Sequence, residues 1–311
     1  AKYRDIQLVK TIRRAWRFSP YYRELLANCV HRVRGTADLE CVPILSKEDL
    51  AANCFEMLTE AELPTRVGLS SGTSYGDVAK STNDSDLLSN LSAPAILFQG
   101  TEELKAIHYL HARLLSEPID SDELTLAINN GVHGTSSIPI PSAITIPLSK
   151  PFHLAVIRRF LTTQLPFGSH KRRITRLVGS LNQMLAFASY LDQHPANDLA
   201  LRSIAVYGTY LGQRQREHLE GIFHCPILNY YGISEIAGAV AEECVVCRGF
   251  HFPPIVVPEV IDLVHLKPTK GDFGELLLTG LLPYCSIQPI LRLRTGDLVQ
   301  VVRDCPVDKD I

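Results

Sequence analysis

The sequence predicts an α/β protein with layered subdomains and a smaller β-rich part, and three observations predict it. Apolar runs of strand length recur through the middle of the chain, at 124–128, 143–148, 203–207 and 227–231. Stretches with helical spacing, 177–191 and 212–223, alternate with them. After Glu243 the texture changes to short β segments, 255–261, 275–278 and 298–302, divided by glycine and proline. The expected boundaries are a leading helical segment over 1–60, an α/β core over 61–243 and the β-rich subdomain over 244–311.

The leading segment carries apolar residues at three- and four-residue steps, Ile6, Val9, Ile12, Ala15 and Trp16. Ser19-Pro20 interrupts them in the way a cap and a first-turn proline start a new helix. Further on, Ser46 with Asp49 three residues later reads as an N-cap. No internal repeat, heptad run or low-complexity tail is evident.

Across all 311 residues, 31 basic residues stand against 33 acidic ones, so no broad field marks a nucleic-acid or anionic-membrane partner. No apolar run approaches the roughly 20 residues of a membrane helix, and the amino terminus is not signal-like. Eight scattered cysteines lack the dense spacing of a secreted disulfide framework, which favours reduced thiols or a metal site in a cytoplasmic protein. The ligand expected is small and buried.

Three segments carry chemistry. Ser70-Ser71-Gly72-Thr73-Ser74-Tyr75-Gly76 has the composition of a phosphate loop, whose amides and hydroxyls wrap polyphosphate; alone, such a cluster is also the composition of a solvated loop. Asn229-Tyr230-Tyr231-Gly232-Ile233-Ser234-Glu235 combines rings that stack on a base with a hydroxyl and a carboxylate that holds a cation. About sixty residues later, Arg292-Leu293-Arg294-Thr295-Gly296-Asp297 ends a strand in a turn with one carboxylate, a group that accepts from two vicinal hydroxyls.

These three, in this order, resemble the adenylate-forming superfamily of acyl-CoA synthetases and carrier-loading adenylation domains. Tyr21-Tyr22-Arg23-Glu24-Leu25-Leu26, Pro43 to Leu50, Tyr231 to Gly238, Glu243-Cys244, Pro258 to Asp262 and Gly274-Glu275-Leu276 make the phenylacetate-CoA ligase branch the nearest likeness. The resemblance implies that superfamily's N-terminal core fold and a two-step reaction. A carboxylate, aryl or arylalkyl in this branch, attacks the ATP α-phosphate to give acyl-AMP, and a thiol then takes the acyl group.

Carried over by position, Ser70, Ser71, Gly72 and Thr73 bind phosphates, Tyr231 lies near the adenine with Tyr230 and Gly232 as further nucleotide-binding candidates, Ser234 lies at the α-phosphate, and Glu235 holds Mg²⁺. Asp297 takes the ribose hydroxyls. The adenine turn falls at Gly208-Thr209, where relatives commonly carry an acidic residue in place of neutral Thr209. Tyr75-Gly76-Asp77 also departs from the branch's phosphate loop, and Lys80 is either the missing charge or a solvated lysine. Gly131 and His133, after the 124–128 run, are the candidate acid contacts; a lone histidine is equally read as a hydrogen-bonded structural residue.

Cys244, Cys247, His251 and Cys305 form a Cys-x-x-Cys-x-x-x-His set with one distant thiol, suited to a closed structural Zn²⁺ site or, alternatively, to unpaired thiols in a loop. The remaining cysteines, Cys29, Cys41, Cys54, Cys225 and Cys285, read as packing residues. Expected partners are a small acid and CoA, or a carrier-protein phosphopantetheine arm, with a homodimer left open. The superfamily continues past this motif into a small domain with a catalytic lysine; this sequence stops at Ile311, so slow adenylation is expected of it. A degenerate nucleotide-binding module is the non-enzymatic alternative.

Overall fold

The chain opens on two helices broken where the sequence places the break. The structure, a computed structural model, describes residues 2–69, 95–115, 124–129, 143–167, 170–236, 238–269, 273–302 and 305–307. Helix α1 (Lys2–Phe18) buries Leu8, Thr11, Ile12 and Ala15, a narrow stripe at helical spacing. The stripe is rotated from the one expected: Ile6 is 45% exposed and Leu8 is fully buried. Ser19 Oγ then accepts from Tyr22 N and caps α2 (Pro20–Leu25), with proline in the first turn. Helix α3 (Lys47–Ala52) starts from a capping box in which Ser46 and Asp49 serve each other's orphan amides.

Strand β1 (Arg66–Leu69) pairs antiparallel with β2 (Ile96–Gln99), and α4 (Thr101–Leu115) follows. The described residues fall into two units. The first comprises Ala1–Ala106, Ile233–Val240 and Val245–Ile311; the second comprises Ile107–Gly232 and Ala241–Cys244.

In the first unit Glu103, 4% exposed, accepts from Ser286 N, Ser286 Oγ and Ile287 N at 3.2–3.3 Å. Burial outweighs these donors and pushes its carboxyl up to about 8. A folded-state value raised above 4.5 means the native state holds a proton that the unfolded chain has released. The stability contributed by this carboxyl is therefore full below about pH 4.5 and is lost, by on the order of a few kcal/mol, as pH rises towards 8. Urea unfolding of Glu103→Gln should show this slope removed; an unchanged slope would assign it to other groups.

The second unit is built on β3 (Thr125–Asn129), β4 (Ala143–Pro147), β7 (Arg176–Ser180), β8 (Ser203–Tyr207) and β9 (Ile227–Ile233). A small hairpin of β5 (Leu165–Phe167) and β6 (His170–Arg172) precedes β7. The five strands are parallel, in the order β9-β8-β7-β3-β4, with β10 (Gly238–Glu243) continuing beyond β9. Parallel pairing needs crossovers, and helices α5 (Phe152–Thr162), α6 (Leu181–Gln193) and α7 (Gln213–Phe223) are among them.

One face of this sheet, Leu126, Ile128, Leu177, Ile204, Val206 and Ile227, packs with Ile157, Leu161, Met184, Phe187, Leu219 and Phe223 from the three helices as one apolar core. Strand β7 corrects the sequence reading, which placed 177–191 wholly in a helix. The run is a strand followed by a helix, with the boundary at Ser180, whose side chain forms a capping box with Gln183.

The first unit closes with β11 (Phe250–His251) and a three-stranded antiparallel sheet, β12 (Val256–Ile261), β13 (Phe273–Gly280) and β14 (Leu293–Gln300). Strand β14 begins earlier than the 298–302 run expected, so Thr295-Gly296-Asp297 lies inside the strand and not in a turn at its end. Glu275 pairs with Leu298 and Leu277 with Arg294, so β14 carries two extra residues as a bulge. No helix among the described residues is long and apolar enough to cross a membrane.

Candidate nucleotide and acid site

The parallel strands bring two of the sequence-read segments side by side. Tyr207 is in register with Tyr230, so Gly208-Thr209, which follow the end of β8, and Tyr231-Gly232, which continue β9 past its pairing with β8, lie at the carboxyl edge of the sheet. Gly208 adopts φ +94°, a conformation that favours glycine, and the turn it makes leaves Thr209 exposed. Successive residues of β9 alternate faces: Tyr231 is half-buried, while Tyr230 is 3% exposed on the opposite face. Tyr230 Oη lies 3.4 Å from Arg176 Nη2. Burial, then the charge and hydrogen bond of Glu242, hold its phenol well above the ordinary range.

The chain runs β3, β4 and then back across β3 to β7, β8 and β9, so the strand order reverses between β3 and β7. In open α/β sheets ligands sit outside the carboxyl ends at such a reversal. Here those ends are Asn129 and Ser180, and Ser180 lies beside Gly208, where an added Cβ would come 3.9 Å from its own Cβ. Gly131 and His133 follow Asn129 in the chain. They lie outside the described residues, as do Ser70, Ser71, Gly72, Thr73 and Lys80.

Ser234 and Glu235 occupy the tip of a tight turn closed by the bridge between Ile233 and Ile236. Ile236 is fully buried and anchors the turn, leaving Ser234 and Glu235 half-buried with Ser234 Oγ donating to Glu235 Oε2 at 3.3 Å.

Asp297 is exposed on the β14 bulge, and its surroundings explain why the bulge has one shape. Arg294 grips buried Glu275 through Nε at 3.1 and 3.0 Å and through Nη2 at 2.6 Å. The Glu275 hydrogen bond raises the already high Arg294 pKa. The same carboxylate accepts from Gly296 N at 3.2 Å, and Gly296 takes φ +82°. Thr295 Oγ1 donates to Leu276 O at 2.8 Å and accepts from Asp297 N at 3.1 Å. The Asp297 backbone is thus fixed from both sides.

The four residues read from the sequence as candidate metal ligands lie together. One donor atom from each of Cys244, Cys247, His251 and Cys305 lies within 4.8 Å of the others. Tetrahedral Zn²⁺ with sulfur at about 2.3 Å requires donors about 3.8 Å apart, so the set fits the ion. Cys247 Sγ is 3.5 Å from His251 Nε2 and accepts from Gly249 N at 3.4 Å, and Arg248 takes φ 58° to close the knuckle. The five other thiols are Cys29, Cys54, Cys225 and Cys285, buried, and Cys41, half-buried. Burial pushes Cys29 and Cys225 up to about 11, which makes them poor ligands and poor nucleophiles.

No family model matches the chain. Protein CapK of Staphylococcus aureus is 28% identical over 119 residues, 37% of this chain and 24% of that protein. Among solved structures, the open conformation of 2-hydroxyisobutyryl-CoA ligase in complex with 2-HIB-AMP and CoA superposes over 96% of this chain and 69% of its own, with TM-score 0.76 and 16% identity. The same ligase in the thioesterification state gives TM-score 0.74 at 17% identity, covering 97% of this chain and 64% of its own. The fold is the core fold of the adenylate-forming enzymes. At such identities the likeness is one of fold, and the chain spans 64 to 69% of the length of these ligase structures and about a quarter of CapK.

The adenylate-forming fold shows what the sequence reading passed over. Glu275 appeared there only as part of a Gly-Glu-Leu likeness, and its grip on Arg294 and Gly296 emerges only when β13 and β14 pair. Arg292, at φ 49°, likewise points into protein: its guanidinium meets Glu259 and donates to Val42 O at 2.7 Å. Both arginines of the motif are engaged by carboxylates.

Proposed function

We propose that this chain activates a small carboxylic acid with ATP, forming acyl-AMP and pyrophosphate, and that the acyl group passes to the thiol of CoA. The observation that supports this reading is the Tyr207–Tyr230 register, which brings the following Gly208-Thr209 and Tyr231-Gly232 to the carboxyl edge of the sheet, beside the β3/β7 reversal, in a fold shared with a CoA ligase. The adenine stacks near Tyr231 and Gly208-Thr209, with Tyr230 supporting that edge from the core. Ser70 to Thr73 and Ser234 take the phosphates, Asp297 the ribose, and Gly131 and His133 the acid. Glu235 holds Mg²⁺, which neutralises phosphate charge as the acid attacks. The phenylacetate-CoA ligase likeness supports an aryl or arylalkyl acid, and a structural zinc at Cys244, Cys247, His251 and Cys305. Reduced thiols fit a cytoplasmic setting.

The test is ATP–pyrophosphate exchange over a panel of aryl and alkyl acids, with AMP binding measured alongside. Acid-dependent exchange with transfer to CoA supports the reading; transfer only to a carrier protein moves the acceptor; no exchange and no AMP binding leave a non-catalytic module. Asp297→Ala should weaken AMP binding by about 1.5–3 kcal/mol, the cost of hydrogen bonds to a charged group. Unchanged affinity in calorimetry would remove Asp297 from the ribose.

A further inference from the structure

We infer that Arg176 is the receptor for an anionic group of the bound ligand, held on the sheet face opposite the helices. Three buried arginines stand out, and two of them are matched by carboxylates. Arg216, 6% exposed, meets Glu243 at 2.6 Å, and Arg292, 3% exposed, meets Glu259 at 3.0 Å. Arg176 is 1% exposed, yet its Nε and Nη1 have no hydrogen-bond partner among the described residues. Its Nη2 reaches only a neutral phenol, Tyr230 Oη, at 3.4 Å.

A buried guanidinium cannot shed its proton, so an unmatched one is costly unless an anion completes it. The register shows what surrounds it on its own face. Thr125 of β3 and Ser203 of β8 flank Arg176, and one step along the strands come Ala127, Val178 and Ala205. These are short side chains without charge. The carboxylate of Glu242 bears on the same phenol, Tyr230, through its charge and a hydrogen bond.

Arg176 stands at the amino end of β7, one of the two strands at which the sheet order reverses, and its side chain reaches towards the carboxyl edge through Tyr230, which shares a register level with Tyr207 and Ser180. The group it takes is an oxyanion. Two sources present one at this edge: a second carboxylate on the acid, or a phosphate of the nucleotide. That choice of sources rests on the acid-activation reading; the anion site itself does not.

The experiment measures binding without turnover, by calorimetry on the full chain, for AMP against adenosine and phthalate against benzoate, with inorganic phosphate as a third probe. Wild type should prefer the anionic member of at least one pair about ten- to a hundred-fold, the range for a hydrogen bond to a charged group. Arg176→Met should lose that preference, and Arg176→Lys, which keeps the charge, should retain part of it. A preference for AMP assigns the phosphate; a preference for phthalate assigns a dicarboxylic substrate. Equal affinities within both pairs and no phosphate binding in wild type overturn the proposal even if Arg176→Met does not fold. A preference undiminished in Arg176→Met, or in Arg176→Lys carried to Arg176→Gln, overturns it as well. Arg176-dependent binding without pyrophosphate exchange would sink acid activation and leave the anion site; exchange without Arg176 dependence would do the reverse.

Discussion

Purified protein is expected to carry one equivalent of zinc, and Cys244→Ser, Cys247→Ser or Cys305→Ser to lose it. This is the largest effect anticipated. Structural zinc contributes about 10–16 kcal/mol of apparent binding energy in small peptides at neutral pH, because metal binding and folding are one event. Here β10 and β12 flank the knuckle and stay folded by their own pairing, so metal loss should melt residues 244–251 locally. The readouts are metal analysis, a lowered melting temperature with chelator, and faster proteolysis near Val245-Val246, which are 73% and 57% exposed. Zinc near zero in both wild type and Cys244→Ser would leave the cluster as free thiols.

Arg292→Leu should cost about 3–5 kcal/mol, the range for removing one member of a buried ion pair. Glu259 would lose both contacts from Nε and Nη2, each at 3.0 Å, and Val42 O its donor at 2.7 Å. Burial already raises the Glu259 carboxyl, and Arg292 is what opposes the rise. Without the arginine the folded-state value climbs further above the unfolded one, so the variant should regain stability as pH falls and Glu259 takes a proton. Arg292→Leu/Glu259→Leu should recover most of the loss, because the penalty lies in the unmatched charge. The left-handed backbone at 292 strains leucine and arginine alike and cancels in the comparison. Urea unfolding in which single and double variants are equally destabilised would assign the cost to packing.

Local features were legible in the sequence because their causes are local. Ser19-Pro20 and Ser46 with Asp49 cap helices through bonds spanning three residues. The strands at 203–207 and 227–233 announce themselves by composition. Strand β7 hid because Leu177-Val178 runs without polar relief into the apolar positions of α6; the signal that separates them, Ser180 and Gln183 in a capping box, was present and passed over. The strand order, and with it the reversal between β3 and β7, has no local cause. Glu275 with Arg294, 19 residues apart, becomes visible only once β13 and β14 are in register. Arg176 gave no signal as one arginine among many, since what distinguishes it is that its buried Nε and Nη1 find no hydrogen-bond partner among the described residues.

The two extra residues of β14 have a second consequence, for solubility. Strand β14 is the rim of its three-stranded sheet and carries Leu298, 71% exposed, while Phe273 at the start of β13 is 69% exposed. A straight, unguarded rim of that character invites a strand from another molecule. Leu45 already occupies its start, bonded to Arg292 O and Arg294 N at 3.1 and 2.9 Å, and the kink at Gly296 breaks the regular row of donors and acceptors just beyond. The distortion that leaves Asp297 exposed also works against neighbouring molecules adding to the sheet.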